Sequence, residues 1–152
     1  MKIINKHEAG EWCLAHGIPL NEFGLPAVRA VPDATDFPIP GDAGQRIALA
    51  KDQMGTLVMD VSCLVWLDDW NAWPSGQWHH LFERFRLSYE CQAPMIERPA
   101  HIVGKDEVDA AVSIVVYAVL MLWDCYVITD RGSWVHYSHN EVGKIRAEAS
   151  MA

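Results

Sequence analysis

Between Trp78 and Tyr89 the apolar side chains recur at Trp78, Leu81, Phe82, Phe85 and Tyr89, the three-and-four spacing of a helix with one buried stripe. Pro74 and Ser75 stand where such a helix starts, and the stripe leaves His80, Glu83, Arg84 and Arg86 on the solvent side. Upstream, Cys63 to Leu67 is apolar at every position, which predicts a central strand covered on both faces. The run from Ala110 to Trp123, closed by Asp109 and Asp124, predicts a buried helix at about 106 to 122. It is shorter than the ~20 residues a membrane-spanning helix needs. After Trp123 the period shortens. Cys125 to Thr129 and Ser133 to Tyr137 are rich in β-branched and aromatic residues, and Asp130-Arg131-Gly132 between them supplies a turn, so a hairpin is expected. Ser138-His139-Asn140-Glu141 then has the form of a capping box, predicting a short C-terminal helix with Val142 and Ile145 inward.

The first third is less periodic. Residues 5 to 16 fit a short helix carrying Trp12, Cys13 and His16, stopped by Gly17 and Pro19. The prolines from Pro19 to Pro40 favour a long irregular connection with one edge strand around Val28 to Val31. Asp42 and Gln45 open a helix running to about Met54, with Ile47, Ala50 and Met54 inward. A proline-containing loop fills 93 to 104. The expected fold is α+β: one domain over 1–152, an antiparallel sheet of three or more strands including the C-terminal hairpin, and four or five helices. Trp66, Trp78, Leu81, Phe82, Phe85, Val116, Leu120 and Trp123 are expected to share one core.

Charge narrows the function. Twelve basic against twenty acidic residues give a formal net charge of −8, unlike a nucleic-acid binder, which needs a basic stripe against phosphates. A basic protein is the expected partner, with homodimerisation the other association considered; neither a nucleic acid nor a membrane is expected. The opening MKIINKHEAGEW has no apolar run after its lysines, so it does not read as a secretory signal and the cytoplasm is the expected location. Cys13, Cys63, Cys91 and Cys125 are scattered without a C-x-x-C pair, consistent with four reduced thiols.

The stretch LVWLDDWNAWPSGQWHH, Leu64 to His80, gathers four tryptophans, two aspartates and two histidines. The strand and helix patterns place Trp66 and Trp78 in the core. Trp70 and Trp73 fall at the strand-to-helix turn, where they either line a ligand site or cap the core. Asp68 and Asp69 are adjacent on an extended chain and point to opposite sides, so at most one serves a site. His79 and His80 lie about 100° apart on a helix, which disqualifies them as a chelating pair. No metal and no cofactor are expected, and a metal would need Asp68 or Asp69, or His136 and His139. His139, at a helix N-terminus, would be held neutral by the helix field. No nucleophile elbow, phosphate loop, dinucleotide fingerprint or H-E-x-x-H occurs, and Cys125 is expected to pack rather than react.

Trp70-x-x-Trp73-Pro74-Ser75, Trp78-His79-x-Leu81, Trp123-Asp124 and Ser138-His139-Asn140-Glu141 together resemble the pattern of a family of small bacterial proteins of uncharacterised activity, over roughly residues 37 to 142. Two positions depart from it: Asn71 stands at a glycine position, and Asn140 where Asp is usual, so a carboxylate role there does not carry over. By analogy of style alone the chain is similar to bacterial immunity proteins.

Two function classes follow. The first is a small acidic, non-enzymatic protein-binding module, of which an immunity-type inhibitor is one form. The alternative is a small hydrolase or ligand-binding protein at the sheet end. Under the first reading no residue is catalytic, and the binding set is Asp69, Trp70, Trp73, His79, His139, Asn140 and Glu141. These residues converge only if the first strand and the second hairpin strand end on the same side of the sheet; otherwise a strand length, ~17–20 Å, separates them.

Overall fold

The computed structural model describes residues 1–28, 33–69, 76–89, 94–138 and 142–146. Its elements run β1 (Lys2–Ile4), α1 (Lys6–Ala15), β2 (Thr35–Pro38), α2 (Ala43–Leu57), β3 (Cys63–Asp68), α3 (Gly76–Leu87), β4 (Ala100–Val103), α4 (Val108–Leu120), β5 (Asp124–Thr129), β6 (Trp134–Tyr137) and β7 (Val142–Arg146). The fold is α+β. All seven strands join one antiparallel sheet in the order β1-β4-β3-β5-β6-β7-β2, with four helices among the described residues.

Side-chain alternation along the strands builds two apolar layers. Cys63, Val65 and Leu67 of β3 face one way, together with Val127, Val135 and Tyr137, and meet α2, α3 and α4. Leu64 and Trp66 face the other way with Tyr126, Ile128 and Trp134, where Ala9 and Cys13 of α1 cover them. This is why the Cys63–Leu67 run does not alternate: both of its faces are interior. The hairpin forms as expected, with Gly132 at φ 84° in its turn, a conformation favoured by a residue lacking a Cβ.

Helix starts follow the sequence. Asn5 caps α1 by accepting from the Glu8 amide, while the Glu8 carboxylate accepts from the Asn5 amide. Asp42 caps α2 by accepting from the Gln45 amide. One turn in, Arg46 is buried rather than solvated. Its Nε donates to the Val119 carbonyl at 2.9 Å and its Nη2 to the Leu120 carbonyl at 3.3 Å, while Nη1 donates to the carbonyls of Gly41 (2.6 Å) and Pro40 (3.3 Å). A single guanidinium thus donates to carbonyls of the last turn of α4, of which Val119 otherwise accepts only a long bond from the Leu122 amide, and fastens them to the start of α2.

Several expectations are corrected. Residues 142 to 146 form β7, not a helix, because the segment fills the gap between β6 and β2 with main-chain hydrogen bonds on both edges. Thr35–Pro38 forms the edge strand next to β7; of the edge strand expected around 28 to 31, Val28 is buried outside any strand, and 29–31 lie outside the described residues. The 93–104 loop contains β4, and β1 pairs with it, so the sheet extends two strands further than the hydrophobic pattern indicated.

The buried side of α3 is rotated from the predicted stripe. Leu81 is 50% exposed, whereas Arg86 is fully buried, donating to the Arg98 carbonyl and lying 3.4 Å from Glu83. The predicted shared core divides as well. Trp66 belongs to the α1 layer, while Phe82 and Trp123 belong to the opposite layer with Phe85 packed beside them. Val116 and Leu120 are half-buried on α4, as is Ile47 on α2. The side chain of Trp78 lies outside the described set.

Candidate functional site at the sheet end

One row of cross-strand neighbours crosses the sheet on the α1 side: Ile4, Ala100, Trp66, Tyr126, His136, Lys144 and Asp36. The row is apolar at one side of the sheet and charged at the other, where Lys144 Nζ lies 3.0 Å from Asp36 Oδ1. In its middle the rings of Tyr126 and His136 stack at 4.2 Å and 2°. The next row toward the sheet end places Asp68 of β3 directly opposite Asp124 of β5. Two like charges in register on neighbouring strands oppose each other.

The Asp68 carboxyl is accordingly pushed above the usual range, first by burial and then by Asp124, with a smaller push from Asp69. The Asp69 main-chain amide and the positive field of Lys6 act the other way. His136 Nε2 approaches Asp124 Oδ2 to 3.9 Å, with both side chains largely buried. That is an ion-pair separation, longer than a hydrogen bond. Asp69 itself is exposed and takes φ 54°, the left-handed region that an aspartate tolerates, where the chain leaves β3. Ser138 is buried just beyond β6.

Both β3 and β6 pair antiparallel with β5, so they run in the same direction, two strand spacings or roughly 10 Å apart. Asp68–Asp69 and Tyr137–Ser138 therefore leave the sheet at one end, with Asp124 between them. Of the residues proposed from sequence, only Asp69 is described in full at this end. His79 lies within α3 with its side chain outside the described set, and Trp70, Trp73, His139, Asn140 and Glu141 lie outside the described residues. Val142–Arg146 is β7 rather than a helix, which removes the helix field expected to hold His139 neutral.

Sequence reasoning undervalued Asp124 and His136. The hairpin turn could have supplied half of this signal, since it fixes Cys125 opposite Tyr137 and so sets Asp124 diagonally across from His136. It gave no way to find Asp68, which reaches Asp124 only through the non-local β3–β5 pairing.

A second buried histidine sits on the opposite face. His101 of β4 donates from Nδ1 to the Val65 carbonyl at 3.0 Å and lies edge-on to Phe82. Burial, followed by the nearby Arg86 charge, pushes it down to about 3, so its ring is neutral at physiological pH. Buried Cys13 and Cys63 are both pushed up to about 12, chiefly by burial, and burial likewise raises Cys125. The thiolate is the reactive form, so none of the three is disposed to act as a nucleophile. Among the described residues no three His, Cys, Asp or Glu side chains come together as a metal site, and no helix is long and apolar enough to cross a membrane.

The sheet end therefore offers buried and exposed carboxylates, an imidazole and an aromatic ring. It can receive a cationic group, and it sets an imidazole within ion-pair distance of the Asp124 carboxylate. Comparison with protein families, curated proteins and solved structures gives no match to this chain.

Proposed function

We propose that this protein is a non-enzymatic binding module that takes a cationic side chain of a basic partner protein at its sheet end. An immunity-type inhibitor, masking a basic surface on another protein, is the form this takes. The observation carrying the proposal is the Asp68–Asp124 register, with Asp69 beside it. Two opposed carboxylates raise the cost of ionising Asp68, and an arginine or lysine placed between them would remove that cost and gain charge-assisted hydrogen bonds. The net charge of −8 adds long-range attraction for such a partner. Asp69, Trp70, Trp73, His79, His139, Asn140 and Glu141 remain the proposed contact set, now joined by Asp68 and Asp124.

The test is a nuclear magnetic resonance titration of the full chain with N-acetyl-argininamide and an arginine-rich octapeptide at low ionic strength. Amide shifts should centre on Asp68, Asp69 and Asp124, weaken with added salt, and diminish in Asp68→Asn and Asp124→Asn. Shifts spread over the whole acidic surface and unchanged in both variants would refute the proposal.

The approach of Asp124 to His136 favours a second reading, a small hydrolase or ligand-binding protein. Turnover of p-nitrophenyl acetate that is lost in His136→Asn, with no peptide binding at the sheet end, would select it.

A further inference from the structure

The outer face of α1 and the loop that follows it line a cleft of about 470 Å³, within the range of small-molecule sites. Lys6, Gly10 and Leu14 stand at i, i+4 and i+8 along α1 with His7 and Glu11 beside them, and Leu20 and Gly24 face them from the loop. Two close approaches set the order along the cleft. Leu20 Cδ1 lies 3.0 Å from where a Cβ on Gly10 would stand, and Lys6 Cε and Nζ lie 3.5 and 3.9 Å from where a Cβ on Gly24 would stand. The Lys6 ammonium therefore marks one end and Gly10 with Leu20 the middle, while Leu14 stands ~12 Å from Lys6 along the helix axis. The loop wall is held in place by its own hydrogen bonds. Asn21 Oδ1 accepts from the amides of Phe23 (2.9 Å) and Leu25 (3.0 Å), the Asn21 amide donates to the Leu25 carbonyl at 2.8 Å, and Leu20 forms a bridge with Pro26.

We propose that this cleft binds a medium-chain carboxylate, with its head on the Lys6 ammonium and its chain along Gly10, Leu20 and Leu14. The lining is mostly apolar, which suits an alkyl chain. Lys6 and Leu14 are exposed and Leu20 is half-buried, so all three are open to a ligand. Charge selects the head. Glu11 Oε1 lies 3.3 Å from His7 Nε2, so that carboxylate already has a partner. Lys6, whose field reaches Asp68, forms no ion pair among the described residues. A carboxylate would accept charge-assisted hydrogen bonds from it. An alkylamine would instead set two ammonium groups together, and an alcohol would leave the charge unanswered. None of these residues belongs to the contact set at the sheet end, so this site and that one are tested independently.

Calorimetric titration of the full chain with octanoate, 1-octanol, octylamine and butanoate tests this, at physiological ionic strength so that the net charge of −8 is largely screened beyond ~8 Å. One octanoate should bind per chain, about fivefold more tightly than 1-octanol, the most that an exposed ion pair adds. Butanoate, with half the chain length, should bind about tenfold more weakly than octanoate or worse, and octylamine more weakly than 1-octanol. Lys6→Met keeps an apolar stem and should bring octanoate down to the affinity of 1-octanol while leaving the alcohol unchanged. Leu14→Asp should weaken both. Both residues are exposed on α1, so neither variant disturbs the core. Absence of saturable octanoate binding, equal affinities for octanoate and 1-octanol, or a preference for octanoate that survives Lys6→Met would overturn the proposal.

Discussion

Truncating Arg46 to alanine should cost far more than an arginine at the second turn of a helix normally would. The guanidinium makes four hydrogen bonds to main-chain carbonyls, two at the end of α4 and two just before α2. The bond to Val119 is buried, and without it that carbonyl keeps only a long 3.4 Å bond from the Leu122 amide. Stranding a buried acceptor costs ~1–3 kcal/mol, and losing a cation at a partly buried helix C-terminus costs about 1–2 kcal/mol more. The partly buried bonds to Gly41 and Pro40 contribute less, since water can replace them. The total is about 3 kcal/mol, or a fall in melting temperature of roughly 6–12 °C for a chain of this size. Arg46→Lys should recover only the charge contribution, because one ammonium cannot reach carbonyls on both sides as the planar fork does. Urea melts of the two variants beside the parent measure both effects. A loss below about 1 kcal/mol for alanine, or a lysine variant as stable as the parent, would refute the clamp and reduce Arg46 to a surface charge.

Phe82→Ala should cost ~3–5 kcal/mol in the same melts, because Phe82 is 1% exposed and its ring meets Phe85, His101, Tyr117 and Trp123. Gly143→Ala should destabilise by about 1–3 kcal/mol, since a Cβ there would stand 2.2 Å from the Phe37 ring across the β2–β7 pair; unchanged stability would mean the ring moves aside freely. Asp68→Asn should raise the melting temperature at neutral pH. A carboxyl whose folded pKa is raised stabilises the fold while protonated and loses that contribution as pH rises through the folded value, so the gain should vanish below the ordinary aspartate pKa. His101 has the opposite dependence. Its lowered pKa means that stability present above about 6.5 is lost as pH falls toward about 3; His101→Leu should flatten the acid limb of a stability–pH profile, and an unchanged slope would count against a buried neutral ring.

The local order of this chain was legible in its residues. Asn5 and Asp42 mark helix starts, Asp130-Arg131-Gly132 marks a hairpin, and the unbroken apolar run of β3 marks an interior strand, because caps, turns and periodicity act over a few residues. Elements whose identity depends on a distant partner were not legible. The three residues of β1 and four of β4 are strands because they pair with each other and with β3. Residues 142 to 146 carry a pattern a short helix could also use, and they become β7 because β6 and β2 leave an edge on each side to be filled. The same division holds at the sheet end. Sequence drew attention to Asp68, Asp69 and the hairpin's histidines, but only the β3–β5 register sets Asp68 against Asp124 with His136 beside them. Arg86 reads as a solvent-facing charge, and nothing in the sequence singles out Arg46, for the same reason: the carbonyls that justify burying them belong to segments remote or offset along the chain, Val119 and Leu120 for Arg46 and Arg98 for Arg86. Short-range chemistry chooses a segment's conformation, whereas the satisfaction of buried polar groups is decided between segments, and that choice exists only once they are packed together.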